Sequence, residues 1–293
     1  MAQLGFIGLG KMGGRVAKRL LDAGHSVIGF NRTKSKARWL LDAGMQWGET
    51  PRQVVESADI IFSMVTNTAA LREVFDGDNG ILAGLTAGKV YIDMSTISVI
   101  TSRDLAGRVA AKGAHMLDAP VSGNVKHVEE GTMSIIVGGE QAIFEKVQPL
   151  LYELTSKVSY VGKNGNALVM KIAINLSLPV QFLGFCEGIL LAEKNGIPRE
   201  VAIEAWRNSA LASPATWHRA PFILEKPEEV WFDVNMMQKD MLLALELGRA
   251  SDVPLPSVAL SNELLTAART MGLAHEDFAV MFDVLASMAG LNT

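Results

Sequence analysis

Gly8, Gly10 and Gly13 stand between the apolar run 4–7 and the amphipathic run 13–23. Glycines at that spacing, after a strand and before a helix, fit a dinucleotide. The first permits a tight turn, the second lets the backbone approach a pyrophosphate, and the third lets helix and strand pack closely. The anion would rest on backbone amides and on the positive end of the helix dipole, so Leu9, Lys11 and Met12 belong to the same cradle. A glycine-rich turn without a ligand is the plainer alternative. About 20 positions further on, where a ribose-binding acid is expected for NAD, the sequence reads Phe30-Asn31-Arg32-Thr33-Lys34. An acid there would repel a 2′-phosphate, whereas Asn31, Arg32 and Thr33 can donate hydrogen bonds to one, Arg32 through a planar fork. The expected cofactor is NADP(H), with NAD(H) second; a solvated basic turn is the alternative. A different chemistry is suggested by Lys171 and Asn175, which four-residue spacing puts on one helix face. Lys171 lies inside Val169-Met170-Lys171-Ile172-Ala173-Ile174, where burying an ammonium is costly without a task. Desolvation would lower its pKa toward neutrality and make it a proton donor or acceptor. A lysine snorkelling to solvent along apolar surface is the open alternative.

These residues need elements to hold them. Runs 4–7, 26–30, 60–65, 89–93, 115–118 and 134–138 read as strands, and 13–23, 35–43 and 102–111 as helices, with 68–74 a weaker case. Strands alternating with helices imply a parallel sheet covered on both faces. Beyond about residue 161 the pattern turns helical. The run 166–194 would extend roughly 40 Å as one helix, with a kink or local break at Pro179. Further helices are expected over 198–208, 235–250, 257–271 and 277–288. The expected fold class is α/β: an N-terminal Rossmann doubly wound sheet joined by a long helix to an all-α C-terminal domain. The domains would span 1–162 and 163–293, with the interdomain helix at about 166–194.

The chain has 293 residues, 49% apolar and 20% charged, with a net charge of -4. That composition excludes a disordered or collagenous chain. The absence of long basic runs argues against nucleic acid and anionic membranes as partners. Cys186 is the single cysteine and cannot form an internal disulfide. No run reaches the ~18 uninterrupted apolar residues of a membrane span, and the start of the sequence lacks a signal-peptide pattern. A cytoplasmic, globular protein with a small-molecule substrate and no metal is expected.

Three further patterns sharpen the reading: Asp118-Ala119-Pro120-Val121-Ser122-Gly123 followed by Gly131-Thr132; Gly162-Lys163-Asn164-Gly165-Asn166 leading into Lys171 and Asn175; and Phe232 followed by Lys239-Asp240. With the glycine turn, they resemble the β-hydroxyacid dehydrogenase family over essentially the whole chain. That family includes 3-hydroxyisobutyrate dehydrogenase, tartronate semialdehyde and glyoxylate/succinic semialdehyde reductases, and more distantly 6-phosphogluconate dehydrogenase. The resemblance implies hydride transfer between nicotinamide and a carbonyl carbon. Lys171 would protonate the carbonyl oxygen in reduction and recover the proton in oxidation, with Asn175 orienting Lys171 or substrate. Ser122 and the Gly123 amide would hold the substrate carboxylate. Thr96 would lie near the nicotinamide ribose, Met64, Val65 and Asn67 would touch the cofactor, and Lys239 would reach it from the helical half. Asp240 would orient Lys171 or Lys239.

The sequence departs from the family in places. Asn124 stands where a glycine is usual and would crowd or extend the carboxylate cradle. The stretch Met64-Val65-Thr66-Asn67 lacks a proline common in relatives, and Pro179 interrupts a helix usually unbroken. His127 could serve as a second acid, against the alternative of a solvated loop histidine. Trp217, His218, Arg219 and Trp231 could close a pocket, against the alternative of packing or surface positions. The leading expectation is an NADP-dependent oxidoreductase acting on a small β-hydroxy acid or semialdehyde. Its rivals are an NADPH-dependent imine reductase, against which Lys171 argues, and a non-catalytic nucleotide-binding scaffold. The helical half carries much apolar surface, Met236, Met237, Met241, Leu242, Leu243, Leu245 and Leu247 among it. Much of that is expected to be internal core, and the resemblance implies association through this half as a homodimer or homotetramer.

Overall fold

Mostly apolar runs make the central strands of the first half, as expected where both faces of a sheet are covered. The computed structural model describes residues 3–291. Its nine strands are β1 (Gln3–Ile7), β2 (Ser26–Phe30), β3 (Gln46–Trp47), β4 (Ile60–Ser63), β5 (Val90–Asp93), β6 (His115–Asp118), β7 (Val121–Ser122), β8 (Ser134–Gly139) and β9 (Lys157–Tyr160). Side by side they run β3-β2-β1-β4-β5-β6 and then β8, all parallel as far as β6. This is the doubly wound order, with the direction of winding reversing between β1 and β4.

The sheet is not parallel throughout. β8 runs antiparallel to both β6 and β7, and β9 joins β8 in parallel. β6 and β7 follow one edge of β8, separated by Ala119 and Pro120. Pro120 has no N–H to give a ladder, but its carbonyl accepts from the Ile136 amide at 3.1 Å. Helix Gln141–Leu154 is absent from the sequence expectation, although Ile143, Phe144, Val147, Leu150, Leu151 and Leu154 line its buried face. Pro149 sits inside it and breaks the helical signal without breaking the helix. Its buried stripe meets Val16, Ala17 and Leu20 of helix Lys11–Asp22 in the same core as Phe6 and Phe62.

The chain divides into two compact units, Met1–Lys171 and Ile172–Thr293. The division falls later than the expected 162/163 boundary, inside helix Asn166–Asn175. Its first turn belongs to the first unit because Ala167 and Leu168 are fully buried and their amides donate to Asp118 of β6 at 3.1 and 3.3 Å. The second unit is helical, with Ser177–Lys194, Arg199–Arg207, Val234–Ala250, Pro256–Thr270 and Met281–Met288 as its main elements. Phe182, Phe185, Phe278 and Phe282 fill its interior.

The expected long helix is two segments, Asn166–Asn175 and Ser177–Lys194. Leu176 between them keeps helical angles, φ -60 and ψ -28. Pro179 supplies no N–H to the Asn175 carbonyl four residues back, so the ladder lapses while the helical path continues. By length and mean hydropathy (1.6), the run Asn166–Lys194 is long and apolar enough to cross a membrane. The expectation of no spanning stretch demanded uninterrupted apolar residues, and Lys171, Asn175 and Gln181 interrupt this one.

Within the second unit Arg219 is buried, whereas Trp217, His218 and Trp231 lie at the surface. Trp217 lies edge-on to His218, and Trp231 edge-on to Phe222. Arg219 is buried and forks onto Asp277 at 2.8 and 3.3 Å. Asp277 also accepts from the amides of Phe232 and Ala279, both at 3.1 Å, fixing the chain that enters helix Val234–Ala250. Asp277→Ala would leave a buried guanidinium and two amides without their acceptor. It is expected to lower stability by about 3–5 kcal/mol in urea denaturation.

Candidate active site

The three glycines of the first turn serve different needs. Gly8 has φ +96, and a Cβ there would lie 2.3 Å from the Met64 carbonyl oxygen. A Cβ at Gly13 would lie 2.2 Å from the Gly8 carbonyl oxygen. Both positions are therefore closed to side chains by the protein itself. A Cβ at Gly10 would meet nothing within 4 Å, so there the missing side chain leaves open space over the turn. Helix Lys11–Asp22 starts at Gly10 with no side-chain cap and no acid in its first turn. An uncapped helix start beneath an open glycine fits a pyrophosphate.

Asn31 does not reach outward as expected. Its Oδ1 accepts the Leu9 amide at 3.1 Å and its Nδ2 donates to the Thr33 carbonyl at 3.0 Å, so it braces the turn. Lys34 pairs with Glu49 at 2.9 Å and lies over the Trp47 ring. Arg32 and Thr33 remain exposed, with Arg32 in no ion pair among the described residues.

The other cofactor candidates sit at the carboxyl ends of neighbouring strands, the usual ligand edge of such a sheet. Met64 and Val65 follow β4 and Thr96 follows β5, all half-buried. Asn67 caps helix Thr68–Phe75 by accepting the Ala70 amide at 2.8 Å, so its carbonyl is already engaged. Beneath these loops Asp93 is fully buried. Burial pushes its carboxyl up to about 6, while hydrogen bonds from Ser95 and Ser63 pull in the opposite direction.

Ser122 ends β7, and Gly123 has φ +140. A Cβ at Gly123 would lie 2.9 Å from the His127 Cβ, so the glycine is required by its own loop. Asn124 turns into that loop rather than across the expected cradle. Its Oδ1 accepts the His127 amide at 3.2 Å, and His127 Nδ1 lies 2.7 Å from the same oxygen and 3.3 Å from the Asn124 amide. The pair forms a capping box on helix Val125–Glu129, which gives His127 a structural task in place of the second-acid role.

Lys171 is 6% exposed. The helix that carries it is fixed by Asp118, which accepts the Gly165 amide at 2.8 Å besides those of Ala167 and Leu168. Burial raises the Asp118 pKa, and the backbone hydrogen bonds act against that rise. The glycine-rich pattern before the helix proves to be its anchor. Asn164 Nδ2 donates to the Met116 carbonyl at 2.8 Å and Asn166 Nδ2 to the Val161 carbonyl at 3.0 Å.

One turn after Lys171, Asn175 Nδ2 donates to Asp240 Oδ2 at 2.5 Å. Lys239 Nζ lies 3.1 Å from Asp240 Oδ1, an ion pair made by Asp240 at 2% exposure. The second unit thus brings together Asn175, Lys239 and Asp240. Asp240 holds Asn175, a partner the sequence did not suggest. Asp93 and Asp118 were also missed as supports of the site. Their signal was an acid closing an otherwise apolar strand at the ligand edge. Among the described residues no group of three or more His, Cys, Asp or Glu could hold a metal ion.

Residues 3–162 match the NAD binding domain of 6-phosphogluconate dehydrogenase. Residues 165–285 match the NAD-binding domain of NADP-dependent 3-hydroxyisobutyrate dehydrogenase. The chain belongs to the β-hydroxyacid dehydrogenase family. It is an NAD(P)-dependent oxidoreductase acting on CH–OH groups of hydroxy acids, and it binds a nicotinamide cofactor. This β-hydroxyacid dehydrogenase is 34% identical over 291 residues to 2-(hydroxymethyl)glutarate dehydrogenase of Eubacterium barkeri, covering 99% of this chain and 97% of that one. It is 33% identical over 282 residues to the chloroplastic glyoxylate/succinic semialdehyde reductase 2 of Arabidopsis thaliana, covering 96% and 79% respectively. Its structure is similar to that of Mycobacterium tuberculosis 3-hydroxyisobutyrate dehydrogenase with L-serine, at a TM-score of 0.87, 26% identity, and 97% and 99% coverage.

The buried Asp93 gives the enzyme a testable pH response. A carboxyl whose folded pKa is raised binds its proton more tightly when folded, so its contribution to stability grows as pH falls. Asp93→Asn, which cannot ionise, removes that response. Between pH 8 and pH 4 the stability difference is expected to move toward the wild type by up to roughly 3 kcal/mol. Most of the change should fall between about 6 and about 4, measured by urea denaturation of both proteins across the range.

Proposed function

We propose that this dehydrogenase transfers a hydride between NADP(H) and a small β-hydroxy acid or semialdehyde, with Lys171 as the proton donor and acceptor. The observation that carries the reading is a buried lysine on an anchored helix, one turn from an asparagine held by a buried carboxylate. A buried ammonium one turn from a fixed amide is suited to proton exchange with a substrate oxygen.

When bound, the nicotinamide supplies the hydride in reduction and accepts it in oxidation. The amides of the Gly8–Gly13 turn hold the pyrophosphate, with Gly10 giving the close approach. Arg32 and Thr33, exposed at the end of β2 with no acid beside them in sequence, receive the 2′-phosphate. Ser122 and the Gly123 amide hold a carboxylate on the substrate. Lys171 gives its proton to the carbonyl oxygen as the alcohol forms and takes it back in the reverse direction. Asn175, with its Nδ2 engaged by Asp240, is assigned to orient Lys171 or a substrate hydroxyl. Lys239, paired with Asp240, is assigned to the cofactor. The relatives' names support an anionic substrate, since glyoxylate, succinic semialdehyde and 2-(hydroxymethyl)glutarate all bear carboxylates. Exposed Leu191, Leu242 and Leu260 on the helical unit support a homodimer or homotetramer.

Oxidation of NADPH against glyoxylate, succinic semialdehyde, methylmalonate semialdehyde, tartronate semialdehyde and a cyclic imine tests the reading. Turnover of at least one acid aldehyde is expected, with kcat falling about 10²–10⁴-fold in Lys171→Ala and NADPH affinity unchanged. Turnover of the imine alone, surviving Lys171→Ala, would instead support imine reduction. Arg32→Ala should raise KM for NADPH about 10–100-fold while leaving KM for NADH near its starting value, the loss of one charge-assisted contact. Equal changes for the two cofactors would contradict the assignment of Arg32.

A further inference from the structure

A buried chain of hydrogen bonds joins the carboxyl ends of β4 and β5, and no step of the proposed reaction uses it. Ser63 and Asp93 face each other in the parallel register, both fully buried. Ser63 Oγ donates to Asp93 Oδ1 at 2.7 Å. Ser95 Oγ donates to the same oxygen at 2.7 Å and the Ser95 amide at 3.3 Å. A hydroxyl has one proton, so Ser63, already donating to Asp93, accepts from the Tyr91 hydroxyl 2.7 Å away. By the same rule Ser95 can only accept from its next neighbour. That neighbour is the Val65 amide, at 2.9 Å.

The Val65 contact lies outside the strand ladder. Met64 still bonds to the Ile7 carbonyl of β1 at 2.9 Å, but Val65 lies beyond the end of β4 and turns to Ser95 instead. The orientation of the Ser95 hydroxyl, and hence its readiness to accept, is set by Asp93. Meanwhile Asp93 Oδ2 is buried without a hydrogen-bond partner. A half-satisfied buried carboxylate costs stability, so fold stability alone is a poor reason for its presence.

We propose that Asp93 is a positioning residue: acting through Ser95, it fixes the Val65 amide and so sets the loop 64–67 against Thr96 for the nicotinamide half of the cofactor. β4 and β5 lie on the opposite side of β1 from β2, and β2 carries the residues assigned to the 2′-phosphate end. The two halves of the cofactor therefore fall to different strand ends. The inference rests on the NADP(H) reading given above.

The test is fluorescence titration of the full chain with NADPH, paired with displacement by 2′-phospho-ADP-ribose, which lacks nicotinamide. Ser95→Ala is expected to weaken NADPH binding about tenfold, the worth of one hydrogen bond, and to leave the affinity for 2′-phospho-ADP-ribose unchanged. Asp93→Ala removes the acceptor that orients Ser95 and should weaken NADPH binding about as much as Ser95→Ala. Asp93→Asn keeps an oxygen that accepts from both serines and should recover affinity to within about threefold of wild type. Equal binding by Asp93→Ala and wild type would overturn the role of Asp93. Ser63→Ala removes a donor from the same carboxylate without touching Val65. It should lower Tm comparably to Ser95→Ala yet keep NADPH affinity within about threefold. The inference is overturned if Ser95→Ala binds NADPH like wild type, if both ligands weaken together, or if Ser63→Ala weakens NADPH as much. Failure of the wild-type chain to bind either ligand would overturn the cofactor reading itself, and the inference with it.

Discussion

The Asp118 carboxylate at the start of helix Asn166–Asn175 is the interaction on which the catalytic reading depends. It gathers the amides of Gly165, Ala167 and Leu168, the donors that a helix start otherwise leaves unsatisfied. Because Asp118 closes β6, the sheet itself fixes where that helix begins and how it is rotated. Lys171 follows one turn after the anchored amides, so its direction is determined by the end of a strand rather than by a loop. A negative charge at the positive end of a helix is favourable, which helps offset the burial that raises the Asp118 pKa.

The same device recurs along the ligand edge of the sheet. Asp93 at the end of β5 orders the serines that hold the next loop, and Asn31 after β2 holds the Leu9 amide of the glycine turn. In the helical unit Asp240 holds Asn175. The glycine turn, the loop after β4, the Lys171 helix and Asn175 are each backed by a polar side chain whose partner is protein. Such support makes a site rigid before any ligand arrives, which lowers the ordering cost of binding.

Much of this was legible in the sequence wherever it depended on local pattern. The glycine turn, β1, β2, β4 and the helical second half all follow from spacing and apolar periodicity. Short β7 and β9 did not show, since two to four residues carry little period and their pairing with β8 is a long-range fact. Helix Gln141–Leu154 was hidden by Pro149. Residue roles were harder than elements. Asn31, Asn67 and Asn124 looked like donors to ligands or intruders in a pocket. Each instead accepts a nearby backbone amide, a habit of asparagine that competes with any outward role. Asp240 was read beside Lys171 or Lys239; the pair with Lys239 is present, and its other partner, Asn175, lies 65 residues away in sequence. The family motifs identified which residues matter and left open what each one touches.

Lys171 is proposed to move the proton that accompanies hydride transfer. Chemical rescue tests it most directly: Lys171→Ala assayed with NADPH and an acid aldehyde in the presence of small primary amines of graded pKa. If Lys171 has that role, turnover rises with amine concentration and varies systematically with amine pKa, since the added amine takes over the transfer. Absence of rescue by any amine, in a variant that keeps wild-type folding and NADPH affinity but retains most of its activity unaided, would contradict it.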